Sequence, residues 1–476
     1  MTAKWSPSRL VEVRSVNEPE VGSPAPFSLL LRLFGDPEMS EIFGEVASYR
    51  LWVAVEVELA RAQARLGVIS AEAALDIEAA ARQLESPPAG MWVSSANVGY
   101  PILSVVRQLD GRTTGQGSGR VHLGATTQDI MDTALAIQLR DATDVMITRL
   151  RTLGDALAVL VSRHGSTVMA GRTHAQQAVP ITLGMKFAVI LDQLGRCIDR
   201  LGEERPRVGV LSLFGAAGTS AAFGTGSASL RSAVAEGLGL ESTEVPWHVA
   251  RDSIFAQASH AVAAAEVCSR LAREVIDLSR TEIGEVMEPG GVHRGASSTM
   301  PQKANPILSE AIVGFAASAN AQLSALGRAM EAGHERSAGE WQIEWHVIPQ
   351  VFALASAAVL RAGELAEQLV VDEAAIERNL VADHGLLMAE AYMIALSGPL
   401  GRENAHDCVS AACERTRREN RPLLEVLVES LAVEHRTAVT EIQPSDYIGM
   451  AETICVGATA AWTARGAATQ VRNARE

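Results

Sequence analysis

The chain has 476 residues, 47% of them apolar but only 4% aromatic, and a formal net charge of −15 with a pI near 5.3. That length allows two to four domains and a large core, while the acidic balance argues against nucleic acid or an anionic membrane surface as a partner. Any anionic substrate must therefore meet a locally positive pocket.

The apolar content is mostly Ala, Leu and Val, which suits closely packed helices. The first residues do not read as a signal peptide, and apolar runs such as 261–268 are broken by charges like Glu266, so a cytoplasmic chain with no membrane span is expected. Cys197, Cys268, Cys408, Cys413 and Cys455 form an odd, sparse set with no paired CxxC spacing. They read as small core residues in a reducing compartment. The histidines His293, His334 and His346 are scattered, and no metal site is expected.

In chain order, residues 1–27 carry Pro7, Pro19, Pro24 and Pro26 and read as an irregular arm. A helix-rich segment covers 38–86, punctuated by Gly67 and ended by Pro87 and Pro88. Asn97 to Leu103 opens a further short helix through Arg107, and the glycine-rich stretch Gly111 to Gly119 follows. Residues 1–120 thus form a small helical first domain.

Thr126, Thr127 and Gln128 stand just before an uninterrupted helical pattern that runs to about Arg163. Taken alone, such a cluster reads first as an N-cap with spare polar residues. Gly171 to Pro180, carrying Thr173 and His174, reads as a loop or helix entry, and a lone histidine is more often structural than catalytic. A helix spans 184–204. The glycine-rich connector 207–227 does not follow a predicted strand, so it is not a dinucleotide fingerprint.

From Arg251 to Val286 the positions Ile254, Ala258, Ala261, Ala265, Cys268, Ala272 and Val275 alternate spacings of four and three, a heptad-like seam. Long helices follow at 306–332 and 346–370, the latter with Pro349 near its start. With 130–163 and 184–204 these make five elements in a central domain, 121–370, far longer than the globular mean of about 11 to 12 residues. Such helices want partners on more than one face. Between the last two lies an acidic, aromatic-rich connector, 334–345, in which Arg336 reads as a surface ion pair or as a ligand-binding group. A third helical domain occupies 371–476, and its last dozen residues read as a frayed tail.

The stretch from Gly295 to Pro306 stands apart. Asn305 followed by Pro306 reads as an N-cap and N1 pair that starts a helix. Gly290, Gly291 and Gly295 loosen the chain upstream, so Ser297, Ser298, Lys303 and Asn305 ride a mobile loop that feeds a helix N-terminus, where negative charge is favoured. Lysine is rare: Lys4, Lys186 and Lys303 are the three in the chain, against 41 basic residues in all. A compact ammonium kept in this loop, in a chain that otherwise uses arginine, suggests a point-charge role.

This stretch resembles the signature loop of the fumarase/aspartase superfamily, two serines before Met-Pro-x-Lys-x-Asn-Pro, matched by Ser297, Ser298, Met300, Pro301, Lys303, Asn305 and Pro306. Ala296 departs from the usual glycine. Thr126, Thr127 and Gln128 resemble the first signature region, whose hydroxyls and amide hold a substrate carboxylate. Thr173 and His174, with Gln176 and Pro180, resemble the second. The segment around Arg336, with 385–406, is most similar to the 3-carboxy-cis,cis-muconate cycloisomerase and adenylosuccinate lyase branch, and the resemblance spans about 30–465.

The resemblance implies an all-α fold of three helical domains, whose five-helix bundle assembles into a homotetrameric core with each active site drawn from three chains. It implies anti-elimination from a small dicarboxylate without cofactor. Ser297 would be the general base, Lys303 the charge that supports its alkoxide and the developing aci-carboxylate, and His174 the group at the leaving side. Thr126, Thr127, Gln128, Thr173, Ser298, Asn305 and Arg336 would bind substrate. Cycloisomerases of the family often carry a bulky residue such as Trp where this chain has His174. Adenylosuccinate lyases carry a histidine in a region that here reads Ser95 to Tyr100 without one. Release of a nitrogen group from a substituted succinate, such as nitrosuccinate or an aspartate-type substrate, is therefore the expected reaction, with a cycloisomerase as the alternative, then an adenylosuccinate lyase, and a non-catalytic helical protein behind them.

Overall fold

A computed structural model describes residues 28–291, 293–336 and 339–473, with side chains to 466; the expected N-terminal arm lies outside these residues. The first two helices begin where side chains cap them. Ser28 accepts from the Leu31 amide at the head of α1 (Leu29–Phe34), and Asp36 accepts from the Glu38 and Met39 amides at the head of α2 (Pro37–Ile42). Then come α3 (Glu45–Arg65), α4 (Ala71–Ala81), α5 (Met91–Val98) and α6 (Ile102–Arg112). Asn97 sits inside α5 and does not open a helix, because Gly99 in a left-handed turn (φ 87°) ends that helix first.

The five long helices are present: α7 (Thr127–Arg163), α8 (Leu183–Val208), α10 (Asp252–Leu278), α11 (Ile307–Ala329) and α12 (Glu340–Gln368), with the short α9 (Ser227–Leu238) between the second and third. They share one core, in which the seam residues Ala258, Ala261, Ala265, Cys268, Ala272 and Val275 of α10 are all fully buried. Alanine at those positions lets neighbouring backbones approach, which a seam of larger residues would forbid. Helix α12 has the length and apolarity of a membrane span, but 56% of its most apolar window is buried inside the bundle.

Three expectations are corrected here. First, 171–180 is no loop or helix entry. It belongs to an antiparallel hairpin, β1 (Val168–Thr173) with β2 (Gln176–Thr182), bulged beside Gly171. Second, α12 starts at Glu340 and not at 346, so Pro349 lies well inside it. The charged, aromatic composition of 340–345 suggested a connector, yet Trp341 and Glu344 are buried. Third, α17 (Ala451–Asn473) runs into the stretch expected as a frayed tail, whose residues 474–476 lie outside the described residues. That helix returns to the central bundle: the Trp462 ring lies against Gly154 of α7, where an added Cβ would sit 2.0 Å from it, and Trp462 Nε1 donates to Asp155 at 2.7 Å.

After α12, β4 (Val370–Val371) pairs with β3 (Val286–Met287), tying the end of α12 to the segment that follows α10. The remaining helices are α13 (Glu373–Leu380), α14 (Ala389–Leu400), α15 (Arg402–Glu419) and α16 (Leu423–Ser430). The last three bury a separate core around Tyr392, Leu396, Val409 and Leu427. A further core joins α3, α4, α6 and α9 to the first turns of α7. All five cysteines are free.

Candidate active site

The first turn of α7 is fixed by a buried carboxylate. Asp129 accepts the amides of Thr126 (3.0 Å), Phe214 (2.9 Å) and Gly215 (2.9 Å) and meets His248 Nε2 at 3.0 Å. The 207–227 connector thus serves as a strap that holds the N-terminus of α7 still. Thr126 and Thr127 are half-buried at that end. Gln128 faces inward instead, at 1% exposure, with its amide nitrogen given to Asp132 (3.0 Å) and to the His248 carbonyl (2.9 Å). Its contribution is to brace the helix start.

Arg336 is joined to this end of α7 from 210 residues away: its Nη2 donates to Thr126 Oγ1 at 3.0 Å, while its Nε is buried without a partner. A guanidinium with one donor committed and another unfilled, beside a helix N-terminus, is suited to a carboxylate. His122, four residues ahead of Thr126, was not singled out from the sequence because a lone histidine has no spacing signal. Its Nδ1 lies 2.6 Å from Glu56 Oε1. Burial alone would lower the His122 pKa, but the carboxylates of Glu56 and Asp129 outweigh it and raise the imidazole above its ordinary value.

Beneath these groups, Arg251 is clamped between two buried acids. It donates to Asp132 (2.8 and 3.1 Å) and to Glu344 (2.8 Å through Nε, with a second contact through Nη2). Burial lifts the Glu344 carboxyl above its ordinary value despite Arg251, and Asp132 adds to the lift. Removing one member of such a set would leave an uncompensated buried charge, at about 3 to 5 kcal/mol.

His174 stands at the tip of the hairpin. The two residues between paired Thr173 and Gln176 are His174 (φ 49°) and Ala175 (φ 63°), both left-handed and neither glycine. A two-residue turn of this hand normally takes Asn-Gly, so its backbone is strained here, as it often is where a side chain must be presented. Thr173 and His174 are exposed. The hairpin stem is fixed by Arg172, which holds Glu285 in a bidentate pair at 2.7 and 2.8 Å, and Asn379 adds 2.9 Å to the same acid.

The signature loop is pinned at its neck. Ala296 bridges to Ala304, and the Asn305 amide donates to the Gly295 carbonyl at 2.9 Å. The glycine that the loop needs is Gly295: its φ is 64°, and a Cβ there would lie 2.5 Å from the Asn305 oxygen. Ala296 is tolerated because the close approach falls one residue earlier. Ser297 Oγ accepts the amides of Met300 (3.0 Å) and Thr299 (3.3 Å). Donors aimed at the oxygen favour its ionised form. Lys303 and Ser298 are exposed, and among the described residues no acid pairs with Lys303.

The expected cap is different. Helix α11 starts at Ile307 with Pro306 in the cap position and no side-chain cap from Asn305. Glu288 takes that role from the other side of the loop: its carboxylate accepts the amides of Leu308 (3.1 Å) and Ser309 (2.7 Å) and the Ser309 hydroxyl (2.8 Å). The positive end of α11 is therefore occupied by an acid of the chain itself, and Ser297 draws its support from the loop amides.

Thr126 and Arg336 meet within one chain. No hydrogen bond or ion pair among the described residues joins them to His174 or to Ser297. Among these residues no group of three or more His, Cys, Asp or Glu side chains stands together in the manner of a metal site.

A family model described as Lyase matches residues 35–320, and one described as Adenylosuccinate lyase C-terminus matches residues 385–457. Over 421 residues, 87% of this chain and 92% of the relative, the sequence is 40% identical to a 3-carboxy-cis,cis-muconate cycloisomerase of Pseudomonas aeruginosa. The fold is similar to a 3-carboxy-cis,cis-muconate lactonizing enzyme from Pseudomonas putida, with TM-score 0.84, 35% identity and coverage of 92% of this chain and 99% of the other. It is equally similar to a fumarate lyase from a Mesorhizobium species, with TM-score 0.83, 36% identity and coverage of 90% and 98%.

Proposed function

The chain belongs to the fumarase/aspartase superfamily of lyases, and from that premise we propose that it is a cycloisomerase acting on 3-carboxy-cis,cis-muconate or a close tricarboxylate analogue. The reading of the reaction leans on the relatives of that name. One observation carries the reading of the site: Arg336, half-satisfied, joins Thr126 at the α7 N-terminus and so forms a carboxylate cradle. In the lactone-opening direction the Ser297 alkoxide takes the proton beside a carboxylate. The electron pair moves into that carboxylate as a dianion, then expels the ring oxygen as a second carboxylate. Lys303 offsets the transient charge. The ring-closing direction runs through the same states in reverse, and no other reactant is needed.

Among the described residues no hydrogen bond joins the cradle, His174 and Ser297 within one chain, and we infer that neighbouring copies in a homotetramer complete the site. Helix α11 supports this reading: Ala317, Ser318, Asn320, Ala321, Ser324 and Ala325 form an exposed, uncharged face of small residues suited to close helix contact.

A second reading, fumarate-forming elimination from a substituted succinate, is favoured by His174, whose strained presentation suits a proton donor at a leaving group. A nitrogen leaving group is the sequence-based expectation, and the relatives support the superfamily chemistry rather than that group. One assay separates the readings. The purified protein is given 3-carboxy-cis,cis-muconate and the loss of conjugated-diene absorbance is followed; fumarate with ammonia, nitrite, aspartate or AMP is tested alongside. Diene loss with a lactone product supports the cycloisomerase, whereas fumarate consumption with one partner and an inert diene overturns it.

A further inference from the structure

The carboxylate cradle at the head of α7 has an aromatic neighbour that the proton and charge chemistry does not use. The turn from His122 to Ala125, closed by the Ala125 amide on the His122 carbonyl at 3.3 Å, leads directly into Thr126. Phe223 lies on that turn: a Cβ added to Gly124 would sit 2.7 and 2.8 Å from the Cε1 and Cδ1 atoms of its ring. Gly124 precedes Thr126 by two residues, so the ring contact falls within about 7 Å of the cradle's backbone.

The chain is built to hold the ring there. Asp129 anchors the base of its loop, because the carboxylate that takes the Thr126 amide also takes those of Phe214 and Gly215. Ser220, left-handed at φ 55°, accepts Arg231 Nη1 at 3.0 Å through its hydroxyl and the Phe223 amide at 2.9 Å through its carbonyl. Gly224 then adopts φ 66° and ψ −157°, a region open essentially to glycine alone, and turns the chain sharply after the ring. Gly124 is required on the facing side, since a side chain there would displace Phe223. Phe223 is half-buried, so part of the ring stays open beside the cradle. A benzene ring adds little to the hold on a carboxylate, which Arg336 and Thr126 already supply. It suits the flat, conjugated carbon skeleton between carboxylates, against which it can stack.

We propose that Phe223 is a specificity residue of this site, its ring packing against the planar skeleton of a polycarboxylate held by Arg336 and Thr126. The proposal rests on the cradle reading of those two groups and adds to it a preference for flat over saturated ligands of equal charge.

The test is calorimetric titration of the whole protein with trans-aconitate, which is planar, and with tricarballylate, its saturated counterpart carrying the same carboxylates; neither measurement needs turnover. The wild type binds trans-aconitate more tightly. Phe223→Leu weakens trans-aconitate about two- to tenfold, the worth of ring stacking, and changes tricarballylate by less than about twofold. Phe223→Tyr keeps the preference. Gly224→Ala, whose Cβ meets nothing within 4 Å and which therefore acts on the backbone alone, erodes the same preference without touching the ring. Arg336→Ala weakens both acids alike. If neither acid binds the wild type, the cradle reading falls and the proposal with it. If both bind equally, or if the preference for trans-aconitate survives Phe223→Leu and Gly224→Ala, the proposal alone is overturned.

Discussion

Replacing Glu288 by alanine removes the acid that caps α11 and holds the downstream end of the signature loop. Three groups lose their acceptor: the Leu308 and Ser309 amides and the Ser309 hydroxyl, now held at 3.1, 2.7 and 2.8 Å. Hydrogen bonds to a charged partner are worth about 1.5 to 3 kcal/mol when buried, and a charge at a helix N-terminus adds about 0.3 to 1 kcal/mol. Glu288 is half-buried, so water replaces part of what is lost, and a net cost of about 2 kcal/mol is expected at this helix end. That corresponds to roughly thirtyfold more frequent local opening. Hydrogen exchange of the peptide spanning 305–312 measures it directly, with the body of α10 as an internal reference. Glu288→Gln, which keeps one acceptor and loses the charge, should fall between. If the 307–310 amides exchange at the wild-type rate in Glu288→Ala, the acid is not the cap and the argument fails.

Ser297→Ala should lower turnover by about a hundredfold to ten-thousandfold, the usual worth of a general base, with helicity and assembly unchanged; wild-type turnover in this variant would remove Ser297 from the mechanism. Arg336→Ala should weaken substrate binding about tenfold to a hundredfold, and Arg336→Lys should recover only part, since an ammonium cannot make the forked contact; an unchanged KM in both would show the arginine to be a surface group. The His122–Glu56 pair gives a pH signature. The histidine pKa is raised in the folded state, so its stabilisation is complete below the unfolded value of about 6.5 and is lost as pH rises through the folded value. Thermal melts from pH 5 to 9 should show that loss in the wild type and not in Glu56→Gln; parallel profiles would refute the coupling.

Much of the scaffold was legible because its signals are local. The five long helices follow from runs of Ala, Leu and Val at helical spacing, strong enough to carry Pro206 in α8 and Pro349 in α12, and the start of α7 at Thr127 follows from its threonine cap. The signature loop was legible because its residue types and spacing are contiguous. The β1–β2 hairpin was not, because each strand is only six or seven residues long and its turn is made by His174 and Ala175, which carry no turn signal. The true start of α12 was hidden for a related reason. Charges in 340–345 suggested solvent, whereas Glu344 is buried against Arg251, 93 residues earlier in the chain.

What the chain alone determined is therefore the set of long helices and the contiguous signature of the loop, with Lys303 in it. Tertiary structure decided which groups stand together. Asp129 straps the loop at 214–215 to α7, Glu288 takes the α11 amides in place of Asn305, Arg336 reaches Thr126 across 210 positions, and Gln128 turns inward. Helix periodicity is a property of neighbours along the chain, so it is written in every few residues. A hydrogen bond between side chains 100 or more residues apart depends on where whole helices pack, and no local pattern records that.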